Sequence, residues 1–172
     1  MKTGVISSQG KIYLNASGTD ASVILNGLAK ANDVEIIADK NIQQDSTLEK
    51  AIEASTDVSL TALNGNIGEP KTETVAANAI DLSAGGRITA SASQGSVIIN
   101  GVESNIQTDN ITAKNDIDLT TTTSGKITVT NDLITDTGYI RLDSAEDLVI
   151  SNNIQAKGDV CLLYTSPSPR DA

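Results

Sequence analysis

Carboxylates are the one class of reactive side chain that this chain supplies in quantity: 22 Asp and Glu stand against 12 Lys and Arg, with no His and a single Cys at position 161. Paired carboxylates can perform acid–base work on a glycosidic bond when they flank the sugar, usually with a cation or a His beside them. Asp116 and Asp118 form a spaced pair, but a turn residue next to a solvated strand position accounts for them better. Asp81 and Asp118 fall in different repeats with no Lys or Arg cluster beside them. Gly85-Gly86 is only a fragment of the Gly-Gly-x-Gly-x-Asp signature of calcium-binding coils. Thr120-Thr121-Thr122-Thr123 and Thr128-Val129-Thr130 supply material for an ice-binding threonine ladder, yet two neighbouring patches do not make a flat array, and half-exposed strands favour Thr anyway. Ligand sets for a metal and activated nucleophiles are not recognisable. The residues therefore assign no catalytic, no cofactor-binding and no metal-binding position, and imply no cofactor.

The elements that would have to carry any such chemistry are marked by a recurring dipeptide frame: Ile or Val, one spacer, then Leu or Ile. It appears at Ile12/Leu14, Val34/Ile36, Val58/Leu60, Ile80/Leu82, Val97/Ile99, Ile117/Leu119 and Ile140/Leu142, with Val160 opening another. The intervals are 22, 24, 22, 17, 20, 23 and 20 residues. A period of about 20 to 25 residues specifies a solenoid in which each unit buries its apolar edge against its neighbours. Apolar residues two apart face one side of a strand, and the spacers Tyr13, Glu35, Ser59, Asp81, Ile98, Asp118 and Arg141 face the other. Shorter strands are expected at Val23–Leu25, Ile88–Ala90, Ile127–Val129 and Leu148–Ile150. The frames are expected to stack as one continuous column.

Gly precedes Ile or Val by two residues at Gly10, Gly65, Gly86, Gly95, Gly125, Gly138 and Gly158. A positive-φ corner before each strand is the expected reason. Asn and Asp at Asn32, Asp33, Asn64, Asn66, Asn115, Asp116, Asn131, Asp132, Asn152 and Asn153 are expected to serve the same corners through their tolerance of the left-handed region. Aromatics are 2% of the chain, with no Phe or Trp, which suits a narrow interior filled by β-branched residues. About seven turns of 20 to 24 residues, spaced about 4.8 Å apart, give a rod on the order of 35 Å long. Its ends would be open strand edges. Ser46-Thr47-Leu48-Glu49 matches a helix capping box, while Ile42, Leu48, Ile52 and Ala54 keep the even offsets of a strand, so 43–56 reads as a short helix or, by preference, as strands of an enlarged turn. Pro70 marks a loop that leaves the coil, with the sheet expected to resume at Val75.

From position 161 the pattern stops. Cys161-Leu162-Leu163-Tyr164-Thr165-Ser166-Pro167-Ser168-Pro169-Arg170-Asp171 resembles the translation of a transposase-type sequencing-library adapter, so 161–172 is expected to be a non-native, disordered tail and 1–160 a fragment of a longer chain. Without that tail the chain has no Cys. Met1-Lys2-Thr3-Gly4-Val5 has no apolar run of signal-peptide length, and Gly10-Lys11-Ile12 is already within a repeat, so a preceding segment is expected too.

The net charge is -10 and the basic residues are scattered singly, which argues against nucleic acid or an anionic membrane as partner. No apolar run has transmembrane length.

Asp57-Val58-Ser59-Leu60-Thr61-Ala62, Asn64-Gly65-Asn66-Ile67-Gly68 and Ala79-Ile80-Asp81-Leu82-Ser83-Ala84-Gly85-Gly86-Arg87-Ile88 resemble the repeat region of filamentous haemagglutinin-type exoproteins. Asn115-Asp116-Ile117-Asp118-Leu119-Thr120 and Gly125-Lys126-Ile127 extend the resemblance over roughly 5–160. It implies an all-β, right-handed parallel β-helix exported by two-partner secretion through an outer-membrane pore. It also implies a secreted or bacterial cell-surface protein that adheres to a receptor or glycan on a host or neighbouring cell. The secretion domain of that family is not among these residues. The expectation is thus a non-catalytic adhesin rod; the alternative is a fragment of a β-helix polysaccharide lyase or hydrolase.

Overall fold

In Asp33–Ala38 the side chains of Val34, Ile36 and Ala38 are at most 1% exposed, while Asp33, Glu35 and Ile37 are half-buried on the opposite side. A strand with this alternation is stable only when its inner face is covered and its edges are paired. The computed structural model, which describes residues 1–165, satisfies both needs by coiling. Lys11–Ala16, Asp33–Ala38, Val58–Ala62 and Arg87–Ala92 lie side by side in parallel. Ile12 stacks on Val34, Val58 and Ile88, and Leu14 stacks on Ile36, Leu60 and Ala90. Ala16, Ala38, Ala62, Ala92 and Ala113 form a column of small residues where the chain turns the corner. A second wall stacks Ile80–Ala84, Val97–Val102, Ile117–Thr122, Ile140–Ser144 and Val160–Tyr164, so that Ile80 lies under Ile99, Leu119, Leu142 and Leu162. Lys2–Thr3, Val23–Leu25 and Ile42–Gln44 make a third, shorter wall in the first turns. The result is an all-β parallel solenoid of about seven turns with no helix among the described residues. Its core is one continuous cluster of Ile, Val, Leu and Ala.

The frames do not form one column. Ile12/Leu14, Val34/Ile36 and Val58/Leu60 belong to the first wall, and the frames from Ile80/Leu82 onward belong to the second. The frame marks the longest strand in the turns of Ile12, Val34 and Val58 and again in those of Ile117 and Ile140, whereas between them Arg87–Ala92 and Ile106–Ala113 of the first wall are longer than the frame strands Ile80–Ala84 and Val97–Val102. Early turns pair one long strand with two three-residue strands, as in Asp33–Ala38, Ile42–Gln44 and Ile52–Ala54. Val97–Val102 then runs across both short sides, pairing with Ile67 at its start and with Ile80–Ala84 beyond. In the first wall Ile106–Ala113 is bulged opposite Ile88–Ala90 and is followed by two short strands, Ile127–Val129 against its first half and Leu133–Thr135 against its second. One extra residue in a strand bends it, and here the bend becomes a corner.

The glycine corners differ from expectation in their physics. Among the seven glycines, only Gly125 has a positive φ, of 109°. Four of the others are explained by close approach: a Cβ on Gly65, Gly86, Gly95 or Gly138 would lie 2.2 to 2.3 Å from an oxygen of the turn below, and one on Gly158 would lie 3.0 Å from Gly138 O. Gly10, in the first turn, has no such neighbour, its nearest atom being at 3.9 Å. None of the ten corner Asn and Asp residues has a positive φ either; the non-glycine residues that do are Asp20, Glu103 and Thr123.

Residues 43–56 contain strands Ile42–Gln44 and Ile52–Ala54 joined by a turn, not a helix. Asp45 accepts from the backbone N–H of Thr47 at 2.9 Å, an Asx turn in place of the helix cap. The loop after Pro70 is present, but the sheet resumes at Ile80; Val75 is 54% exposed. The four short strands expected at Val23, Ile88, Ile127 and Leu148 are all found. Cys161–Tyr164 departs from the expected disorder. It completes strand Val160–Tyr164, which pairs residue by residue with Ile140–Ser144, because Cys-Leu-Leu-Tyr offers strand-forming side chains in register with Leu142. The remainder of that tail, 166–172, lies outside the described residues.

Candidate functional site

Outward side chains of stacked strands form files along the rod. In the second wall one file runs Asp81, Asn100, Thr120, Asp143, and the file beside it Ile98, Asp118, Arg141, Cys161. Ile98, the one apolar spacer, is only 5% exposed because the turn at Gly68 lies against it. Asp81 is engaged on both oxygens: Gln44 Nε2 donates at 2.6 Å and Asn100 Nδ2 at 2.7 Å. Gln44, itself 5% exposed, also accepts from the Asp81 backbone N–H at 2.7 Å. This carboxylate fastens three turns together.

Asp118 has the cationic companion that sequence reading did not give it. Arg141 of the next turn lies directly over it, with its guanidinium 3.2 Å from the Asp118 carboxylate and hydrogen-bonded to Asp143 as well. The two residues are 23 apart in sequence, one turn of the coil, which is why the scattered distribution of basic residues concealed the pair. Burial raises the Asp118 carboxyl above its ordinary range, and the Arg141 charge and the Thr120 hydroxyl offset only part of that rise. Burial, then the charges of Asp118 and Asp116, also pushes up the Tyr139 phenol. Asp81 and Asp118 do lie on different turns, as expected.

Asp116 is not part of this group. It sits in a corner ladder where each turn's side chain accepts a backbone N–H from the next: Ser22 from Asn41 at 3.2 Å, Asn41 from Asn66 at 2.8 Å, Asn66 from Ser96 at 2.7 Å, Ser96 from Asp116 at 3.2 Å, and Asp116 from Tyr139 at 3.1 Å. The opposite corner repeats the device, with Asp57 accepting from Arg87 at 2.7 Å and Asn105 from Lys126 at 3.0 Å. Corner Asn, Asp and Ser residues thus satisfy backbone donors that the strand ladder leaves unpaired. Asp33, in that second ladder, has its carboxyl lowered by the Thr56 hydroxyl and then by the Asp57 N–H.

The threonines do not form a flat array. Thr121 points inward and its hydroxyl donates to Gly125 O at 2.8 Å, Thr123 adopts φ 72°, and the Thr130 hydroxyl is taken by Thr108 O. Gly85 and Gly86 pack against Ser55 and Asp57 of the turn below. Among the described residues no three His, Cys, Asp or Glu side chains converge as metal ligands, and no helix is long and apolar enough to cross a membrane. No family model, curated protein or solved structure matches the chain.

Proposed function

We propose that the chain is a rod segment of a secreted or cell-surface bacterial adhesin of filamentous haemagglutinin type, holding a binding element away from the cell and contacting a receptor or glycan on a host or neighbouring cell. The observation that supports this reading best is the unbroken lateral pairing: every turn is joined to the next by parallel ladders, reinforced by a side-chain ladder from Ser22 to Tyr139 at one corner and by shorter runs at the other. Such a coil resists bending because any local opening breaks backbone bonds on more than one wall. Export in the unfolded state through an outer-membrane pore suits a chain whose only Cys is Cys161 and whose turns fold by adding to a preceding edge.

The second reading, a β-helix polysaccharide lyase or hydrolase, draws on the Asp118, Arg141 and Asp143 group on an outer wall. A glycan array run beside a reducing-sugar assay on neutral and acidic polysaccharides separates the two. Retention of glycans or cells without chain cleavage is expected. Release of reducing ends that disappears in Asp118→Asn would replace the adhesin reading with the enzymatic one.

A further inference from the structure

The corner that leads out of the second wall changes length from turn to turn. Two residues, Gly85 and Gly86, make it after Ala84; three, 103–105, after Val102; four, 123–126, after Thr122; and three, 145–147, after Ser144. Longer corners beside a two-residue one leave a cleft of about 430 Å³, within the size range of small-ligand sites. It is lined by Glu103, Ser104, Asn105, Gln107, Ser124 and Glu146, and by backbone at three glycines. Those glycines must stay bare: a Cβ on Gly85 would lie 2.2 Å from Ser55 O, and one on Gly125 2.3 Å from Ser104 O. Two non-glycine residues of the same corner hold left-handed backbone, Glu103 at φ 51° and Thr123 at φ 72°. Such strain persists where the surrounding structure imposes it.

We infer that this corner cleft binds a short, uncharged saccharide through its hydroxyl groups. The two carboxylates are hydroxyl acceptors, and neither is in an ion pair among the described residues. The Gln107 amide and the Ser124 hydroxyl can both donate and accept, while Asn105 has its oxygen committed to Lys126 N–H and offers its NH₂. Glu103 and Glu146 lie two turns apart, about 10 Å, a span of about two hexose rings. Carboxylates in the lining and a net charge of -10 repel uronates and other acidic sugars. No aromatic ring lines the cleft, so a single site binds weakly, with Kd on the order of millimolar and useful adhesion only through multivalency.

The choice of a sugar over another neutral polyol rests on the adhesin reading; the position and charge preference of the site do not. The test is an NMR titration of the isotopically labelled chain with lactose, cellobiose and maltose, and in parallel with digalacturonate and spermidine. Shifts confined to amides of 103–107, 124–125 and 146 with at least one neutral disaccharide are expected. Binding should weaken at least fivefold in Glu103→Asn with Glu146→Gln, the Asn being tolerant of left-handed backbone. Shifts with spermidine or digalacturonate alone, shifts elsewhere, or none at 50-fold the expected millimolar range would overturn the inference. If the double variant still adheres to cells or glycan arrays as well as the parent chain, the cleft is refuted while the adhesin reading stands.

Discussion

Gly95→Ala distinguishes close approach from backbone conformation as the reason for glycine at the corners. Gly95 is buried, its φ is not in the left-handed region, and an added Cβ would lie 2.3 Å from Gly65 O and 2.4 Å from Asn66 Oδ1. Relief to an ordinary contact needs the turns to separate by about 1 Å, against a spacing of about 4.8 Å. That displacement falls on the Ser96 N–H to Asn66 Oδ1 bond at 2.7 Å and the Ile67 N–H to Ser96 O bond at 2.9 Å. Weakening two such bonds costs about 1–2 kcal/mol, and overpacking of a rigid site costs about 1–3 kcal/mol. The unfolded-state benefit of Gly→Ala returns only about 0.4–1 kcal/mol. A net loss of about 1–4.5 kcal/mol is expected, read as a lower urea midpoint and as faster hydrogen exchange at Ser96 and Ile67. Gly10→Ala, with nothing nearer than 3.9 Å, should be neutral or slightly stabilising. Gly95→Asn carries the decision, since Asn tolerates left-handed backbone but is bulkier than Ala. If Gly95→Asn proved clearly more stable than Gly95→Ala, or if Gly95→Ala matched the parent, the close-approach argument would be refuted.

Thr108 is fully buried in the column between Ile88 and Val129, and its hydroxyl has no partner, so Thr108→Val should raise stability by about 1 kcal/mol in urea denaturation. The Asp118 carboxyl is raised in the fold, which means that the folded chain binds its proton more tightly than the unfolded one. Its contribution to stability therefore falls as pH rises from the unfolded value of 3.8 through the raised one. The stability of the parent chain relative to Asp118→Asn should accordingly improve on acidification, and a difference independent of pH across that window would contradict the assignment. Glu69 and Asn78 exchange two backbone hydrogen bonds, of 2.7 and 2.9 Å, at the base of the 70–77 loop. Replacing residues 70–77 with Asn-Gly should preserve the circular dichroism of the parent and add about 1 kcal/mol through cheaper loop closure, whereas a lowered urea midpoint would show that the loop packs on the rod.

The legible part of this fold is the part made of large aliphatic residues. Every Ile-x-Leu frame is a strand, and the polar spacers face outward, because burial of Ile, Val and Leu on one side decides both orientation and register. Ala29–Ala31, Ile106–Ala113 and Leu133–Thr135 are not expected from the frame: both inward positions of the first are Ala, which buries little area, and the inward pairs Ile106/Thr108 and Leu133/Thr135 end in Thr and so do not complete an Ile-x-Leu pair. The assumption of one column failed for a related reason. Residue spacing reports how far apart two long strands are along the chain, and it is silent on which wall each occupies; Val58 pairs with Ile88, 30 residues on, while Ile80 pairs with Ile99, 19 residues on. The Arg141–Asp118 pair was invisible because a contact one turn apart becomes visible only once the register is known.

A periodic coil makes a good spacer and a poor recognition surface, since identical turns present the same shallow relief everywhere. Specific recognition has to come from departures from the period. In the described chain these are concentrated between the third and seventh turns: the 70–77 loop, the bulge opposite Thr89, and the unequal corners from Gly85 to Glu146. Each sacrifices some regular ladder bonding, and each is secured by local devices, such as the Glu69–Asn78 bridge, Asp109 held by Asn131 and Thr89, and glycines pressed onto the turn below. In the early turns the long strands Lys11–Ala16, Asp33–Ala38 and Val58–Ala62 stack without a bulge, and the irregularity there is confined to the 45–51 turn. On the proposed adhesin reading the division of labour runs along the rod axis, with regular stacking providing reach and the irregular middle providing the contours that a ligand can distinguish.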